Sequence, residues 1–193
     1  MLPLGTPAPD FALPDISTGK RVQLSDFQES RALLVVFLCV HCPYVVHVRP
    51  ELARLAADYA DKGVVVVGIS SNDVDQYPED APMHLAAMAR AEGIKFPILY
   101  DQSQVVAKAF TAACTPDFFL FDGRKKLVYR GQLDASRPSR GPGQSALGAL
   151  DGSDIRMALD AVLAGWPPNP KQRPSVGCNI KWKPGNAPDY FKQ

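Results

Sequence analysis

Cysteine is scarce here, four in 193 residues, which excludes the disulfide-stapled scaffolds that small secreted domains rely on. An excess of charge of either sign is lacking too. The 21 basic and 20 acidic residues leave a net charge of +1, so neither nucleic acid nor an anionic membrane is called for as a partner. No segment approaches the roughly 20 apolar residues of a membrane span. The opening Met1-Leu-Pro-Leu-Gly-Thr-Pro7 has no basic region and no apolar run of signal-peptide length. Internal repeats and low-complexity tracts are missing as well. What remains is 46% hydrophobic and 21% charged, an ordinary composition at a length that suits one well-cored domain and is short for two. A cytoplasmic location is the expectation. In that reducing compartment a close cysteine pair is more often catalytic or metal-binding than structural.

Two of the four cysteines are such a pair, in the stretch Arg31-Ala-Leu-Leu-Val-Val-Phe-Leu-Cys39-Val-His-Cys42-Pro-Tyr-Val45. Arg31 to Cys39 is a continuous apolar run, as expected of a central strand buried on both faces. After Cys42 the apolar residues Val45, Val48, Leu52, Leu55 and Tyr59 fall at helical spacing. Pro50 interrupts them, so either a kink or a second helix starting near Pro50 is predicted. Gly63 follows Lys62 as a left-handed cap. Val64 to Ile69 is a second buried strand, completing a β-α-β unit.

The remaining chain reads as follows. Phe11 and Leu13, a Ser17–Lys20 turn and Arg21–Leu24 form an N-terminal hairpin, with one helical turn at Ser25–Phe27. Ser70 to Pro82 is a polar loop at the end of a sheet where functional loops gather. Met83 to Ala91 is a helix closed by Gly93, Phe96–Tyr100 a strand and Ser103–Phe110 a short helix. Asp117–Phe121 and Lys126–Leu133 flank Asp122-Gly123, a hairpin signal. Asp134–Leu150 is loop, with Arg137 and Arg140 read as surface groups along with His47 and His84. Ser153–Leu163 is the last helix, closed by Gly165. The tail from Trp166 carries six prolines, yet Cys178, Ile180 and Trp182 alternate, so it is expected to pack on the domain. The division is 1–165 for the domain and 166–193 for the tail.

Two thiols at a strand–helix junction lie where backbone N–H groups and the helix dipole favour a thiolate. In such a C-x-x-C the first sulfur is expected at an exposed tip and the second a turn inside, so Cys39 attacks a disulfide and Cys42 resolves the mixed disulfide. His41, if protonated, stabilises the thiolate. The competing reading is a structural metal site, which needs two further ligands; Cys114 and Cys178 are far apart in sequence, and His41 and His47 are the nearest histidines.

The C-x-x-C between an apolar strand and a helix resembles the thioredoxin superfamily. The opening Gly5-Thr-Pro-Ala-Pro-Asp-Phe11 and Phe96-Pro-Ile-Leu-Tyr-Asp101 resemble its peroxiredoxin and thiol-reductase branch. Cys39-Val-His-Cys-Pro-Tyr-Val45, Gly68-Ile-Ser-Ser-Asn-Asp73, Cys114-Thr-Pro-Asp-Phe-Phe-Leu-Phe-Asp122 and Gly177-Cys-Asn-Ile-Lys-Trp-Lys-Pro-Gly185 resemble the peroxiredoxin-like group that carries a thioredoxin-style C-x-x-C. The resemblance implies a thioredoxin-like three-layer α/β/α sandwich with a central mixed sheet, the N-terminal hairpin and the proline-rich tail. It also implies that Thr115-Pro116 is a cis-proline loop facing the dithiol, with the Thr115 backbone free to pair with an incoming substrate segment. Cys114 then comes near the dithiol, as a third redox thiol or a small buried core residue; a Cys114–Cys178 bridge pinning the tail over the site is the lesser reading, since a reducing cytoplasm opposes it.

Departures from the pattern matter. Aligned on peroxiredoxins, Cys42 takes the peroxidatic position, but Cys39 and Val35 stand where that family has threonine or serine and proline. Pro116 stands in place of the arginine that polarises peroxide. Leu33 replaces the buried acid of thioredoxins, leaving the proton acceptor for Cys42 unassigned, with water or His41 as candidates. The expected function is thiol–disulfide oxidoreduction on a protein or small-molecule disulfide, with a regenerating thiol reductant and no cofactor beyond the cysteines. Two alternatives stand beside it: a thiol peroxidase with Cys42 peroxidatic and Cys39 resolving, and a metal-binding protein using Cys39, Cys42 and a histidine.

Overall fold

A computed structural model describes residues 2–139, 141 and 145–191; the loop residue Arg140 lies outside the described residues. Its centre is β3 (Ala32–Phe37), whose six side chains are all fully buried because the run is apolar on both faces. It pairs in parallel with β4 (Val64–Ser70) and antiparallel with β7 (Asp117–Asp122). With β5 (Ile98–Tyr100) and β8 (Leu127–Gly131) outside these, the mixed sheet runs β5-β4-β3-β7-β8. The expected N-terminal hairpin is present as β1 (Ala12–Pro14) against β2 (Arg21–Gln23).

Alternation along β3 divides the core. Leu34 and Val36 face α1 (Pro43–Ala60), α2 (Pro82–Ala91) and α4 (Ser153–Leu163). Leu33, Val35 and Phe37 face the other layer, made of α3 (Val105–Ala109), the Phe11 segment and tail residues Ile180 and Trp182. Phe110 sits at the middle of that second layer, 5.4 Å from the rings of both Phe37 and Phe119. The sandwich therefore has its three layers, but one outer layer is built largely from non-helical chain.

Pro50 does not divide the first helix: α1 runs unbroken from Pro43 to Ala60. Pro50 cannot donate to the Val46 carbonyl, and both residues lie on the exposed side of the helix, where water can take that carbonyl. The Asp122-Gly123 hairpin forms, yet the residue at positive φ is Lys125 (57°), not Gly123. The turn is a longer one, held by Asp122 Oδ1 accepting from the N–H groups of Arg124 and Lys126.

Both sheet edges are covered. Asp15 bridges to Leu99 on the β5 side. On the β8 side the tail runs alongside, with Gln132 N–H donating to Arg173 O at 2.9 Å and Ser175 Oγ to Gly131 O at 2.8 Å. Unpaired strand edges invite association, and both segments blunt them. The tail then crosses the sheet's C-terminal end, where β9 (Cys178–Asn179) pairs antiparallel with β6 (Cys114–Thr115).

Candidate active site

The sheet's end brings the dithiol and the Thr115 loop together. β3 stops at Phe37 and Cys42 is the N-cap of α1, with Pro43 at the first helical position, where its missing N–H costs nothing. The Thr115–Pro116 peptide is cis. Thr115 touches both sulfurs: its Oγ1 is 3.2 Å from Cys39 Sγ, and its carbonyl oxygen accepts from Cys42 Sγ at 3.0 Å. Cys39 and Cys42 lie together in one buried cluster. All four cysteines are free thiols.

The exposed tip expected for Cys39 is not found. Cys39 is 1% exposed and Cys42 fully buried, because β9 and Thr115 lie over the helix start. The two thiols also differ in acidity, in the order opposite to the expected division of labour. Donors converge on Cys42: the Cys39 thiol foremost, then the Cys178 thiol, the Val45 N–H and the Cys178 N–H. Against the cost of burial they lower its pKa to about 4. The same hydrogen bond, burial and the nearby Asp80 carboxylate push Cys39 far up. The Thr115 carbonyl contact is that of a protonated Cys42; when the pair loses a proton, its surroundings favour losing it from Cys42 rather than from Cys39.

Asp80 was not singled out from the sequence. It is fully buried; Oδ1 accepts from Val40 N–H at 2.7 Å and Oδ2 from Asn72 Nδ2 at 2.7 Å. His41 Nδ1 also lies 2.7 Å from Oδ2, and its ring stacks on Tyr77. The Cys39 sulfur, His41 Nδ1 and an Asp80 oxygen lie within 4.8 Å of one another. This buried acid lies beside Cys39 and His41 and comes from the polar loop after β4, not from β3. The loop's position at the strand end was the available signal; its length gave no way to choose among Asp73, Asp75 and Asp80.

The same trio is the grouping best placed to hold a metal ion, but its membership differs from the Cys39, Cys42 and histidine set expected from sequence. Asp80 is already committed to Val40 and Asn72. His47 is part-buried rather than a free surface group: it meets Ser136 Oγ at 2.9 Å and lines a narrow cleft with Tyr44, Pro116, Arg137 and Val176. Burial lowers its pKa. His84 is exposed, as expected.

Cys114 sits beside the site without joining it. Its thiol points to Pro116 O at 3.6 Å, and burial raises its pKa strongly. In the β6–β9 register Cys178 opposes Thr115 and Cys114 opposes Asn179. Opposed residues share a face and successive ones alternate, so Cys178 shares the face of Thr115, away from Cys114. The register thus turns these two thiols to opposite faces, against a Cys114–Cys178 bridge.

This fold, with a dithiol at the strand–helix junction opposite a cis-proline, defines a thioredoxin-fold redox protein of the peroxiredoxin-like group. The chain belongs to the Redoxin family, whose pattern matches residues 3–147. It is 24% identical over 125 residues to the thiol-disulfide oxidoreductase ResA of Bacillus thuringiensis, covering 65% of this chain and 67% of that protein. A Mycobacterium tuberculosis protein with a provisional peroxiredoxin name is 31% identical over 108 residues, 56% of this chain and 63% of that one. Among solved structures, an uncharacterized conserved protein of Geobacillus kaustophilus is 52% identical, with a TM-score of 0.88 over 96% of this chain and 95% of its own. A hypothetical protein of Sinorhizobium meliloti is 48% identical, with a TM-score of 0.90 over 96% and 97%. Among the described residues no helix is long and apolar enough to cross a membrane.

Proposed function

We propose that this protein is a thiol–disulfide oxidoreductase in which Cys39 and Cys42 cycle between dithiol and disulfide. The observation that carries the reading is the contact between the two sulfurs at the N-terminus of α1, with Thr115 on both. The acidities favour Cys42 as the first nucleophile. Its thiolate attacks one sulfur of a substrate disulfide, the first thiol departs, and Cys39 then displaces the second from Cys42. The Cys39 proton passes to the Asp80–His41 pair or to the departing thiolate. A low-pKa sulfur is also a good leaving group, which makes the resulting disulfide easy to reduce. A protein or small-molecule disulfide is the substrate class and a thiol reductant regenerates the dithiol, in a compartment that keeps the cysteines reduced, as in the cytoplasm.

The peroxidase reading shares Cys42 as nucleophile. The groups that hold Cys42 are thiols and backbone amides, and Pro116 occupies the position of the peroxide-polarising arginine, so disulfide exchange is favoured over peroxide reduction. Rapid mixing of the reduced protein with a model disulfide or with hydrogen peroxide separates the two. Oxidation of two thiols per chain by the disulfide, abolished in Cys42→Ser, is expected. Oxidation by peroxide far faster than that of a free thiol, and dependent on Cys42, would overturn the assignment.

A further inference from the structure

The tail occupies the one strand position beside the dithiol. Thr115, whose backbone a substrate segment was expected to meet, is already paired with Cys178 of the same chain. The approach is so close that a Cβ at Gly177 would overlap the Thr115 carbonyl, which is why this position needs glycine. Cys178 packs against the buried cluster that contains Cys39 and Cys42, and it shares the strand face of Thr115, the residue that touches both sulfurs. The segment is held on both sides of this point. Upstream, Gln132 N–H bonds to Arg173 O. Downstream, Lys181 N–H donates to Asn72 Oδ1 at 2.9 Å, and buried Gln104 donates to Lys181 O at 2.9 Å and accepts from Lys183 N–H at 2.9 Å. Such anchoring of an otherwise irregular, proline-rich segment sets Cys178 as firmly as a residue of the sheet.

We infer that Cys178 is a third redox-active cysteine, the chain's own disulfide partner for Cys42, presented on a strand that stands where a substrate strand would pair. The inference rests on the dithiol reading above and adds a second resolving thiol to it. The exchange balances. The Cys42 thiolate attacks a disulfide RSSR; the Cys42–R bond forms, the S–S bond breaks and RS⁻ leaves. Cys178 then attacks Cys42 Sγ; a Cys42–Cys178 bond forms, the Cys42–R bond breaks, and the second RS⁻ leaves with the Cys178 proton. Two electrons pass from two cysteines to the two R sulfurs, and an external dithiol returns them. Because Cys39 and Cys178 both adjoin Cys42, the two internal disulfides exchange with each other by the same step.

Oxidised glutathione is the probe. With Cys39→Ser, peptide mapping after quenching is expected to show a Cys42–Cys178 disulfide, while Cys39→Ser/Cys178→Ser accumulates glutathione on Cys42. A lasting glutathione adduct at Cys42 of Cys39→Ser, with Cys178 still a free thiol, would overturn the inference. Cys39→Ser removes the other resolving thiol and supplies a kinetic measurement. Adding Cys178→Ser to it is expected to slow release of the second glutathione at least severalfold; an unchanged rate contradicts the inference. Failure of the wild-type chain to form any Cys39–Cys42 disulfide would instead count against the dithiol reading itself.

Discussion

At the scale of single residues, the asymmetry between the two thiols follows from a count of donors. The neighbouring Cys39 and Cys178 thiols and the Val45 and Cys178 amides lower the pKa of Cys42, whereas burial and the Asp80 carboxylate add to the rise at Cys39. A thiol whose pKa is lowered to about 4 is ionised above that value, so the thiolate ultraviolet absorbance of Cys42 should persist in mildly acid solution and disappear only as pH falls through about 4. Because the Cys39 thiol is the foremost of these groups, Cys39→Ala, which removes the donor, should move that titration upward by a unit or more. A titration midpoint unchanged by the substitution would show that Cys39 does not hold the charge on its neighbour. The two cysteines and His41 were legible from motif spacing at a strand–helix junction, and the Thr115–Pro116 loop from the family resemblance. Which sulfur ionises was not legible, since it also depends on groups brought in from elsewhere in the chain, Asp80 beside Cys39 and Cys178, 136 positions beyond Cys42, beside the other sulfur.

Among the elements, the polar loop after β4 joins the dithiol to the tail. Asn72 is the joint: Nδ2 donates to Asp80 Oδ2 and Oδ1 accepts from Lys181 N–H. Asn72→Ala leaves a buried amide and one carboxylate lone pair without partners, at a cost of about 1–3 kcal/mol. Denaturant unfolding should show that loss, and alkylation of Cys42 should quicken as the tail loosens. Stability lost with no change in thiol accessibility would mean that the loop and the tail are not coupled. Strands and helices were mostly legible from apolar runs and helical spacing. The exceptions share a cause, which is that sequence shows what a residue disfavours and not what its neighbours tolerate. Pro50 stays inside α1 because its side of the helix faces solvent, and the Asp122-Gly123 turn puts its left-handed residue at Lys125 because the Asp122 carboxylate organises a longer loop.

For the whole molecule, the tail is part of the site's architecture rather than a cover laid on a finished domain. It shields the β8 edge, contributes Ile180 to the second core, pairs with Thr115 and presents Cys178 to Cys42. Its packing was legible from the alternation of Cys178, Ile180 and Trp182, but its route was not, because six prolines and no periodicity leave pairing partners undetermined until the sheet exists. The central claim is that Cys39 and Cys42 form one reversible two-electron couple. Equilibration of the full chain in thiol–disulfide redox buffers, with mass mapping of each cysteine, measures it directly. The low pKa of Cys42 predicts a Cys39–Cys42 couple lying positive of thioredoxin's roughly −270 mV, absent altogether from Cys42→Ser and replaced in Cys39→Ser by the Cys42–Cys178 pairing. Cysteines that stay reduced across the whole buffer range, or that oxidise independently of one another, would contradict the account.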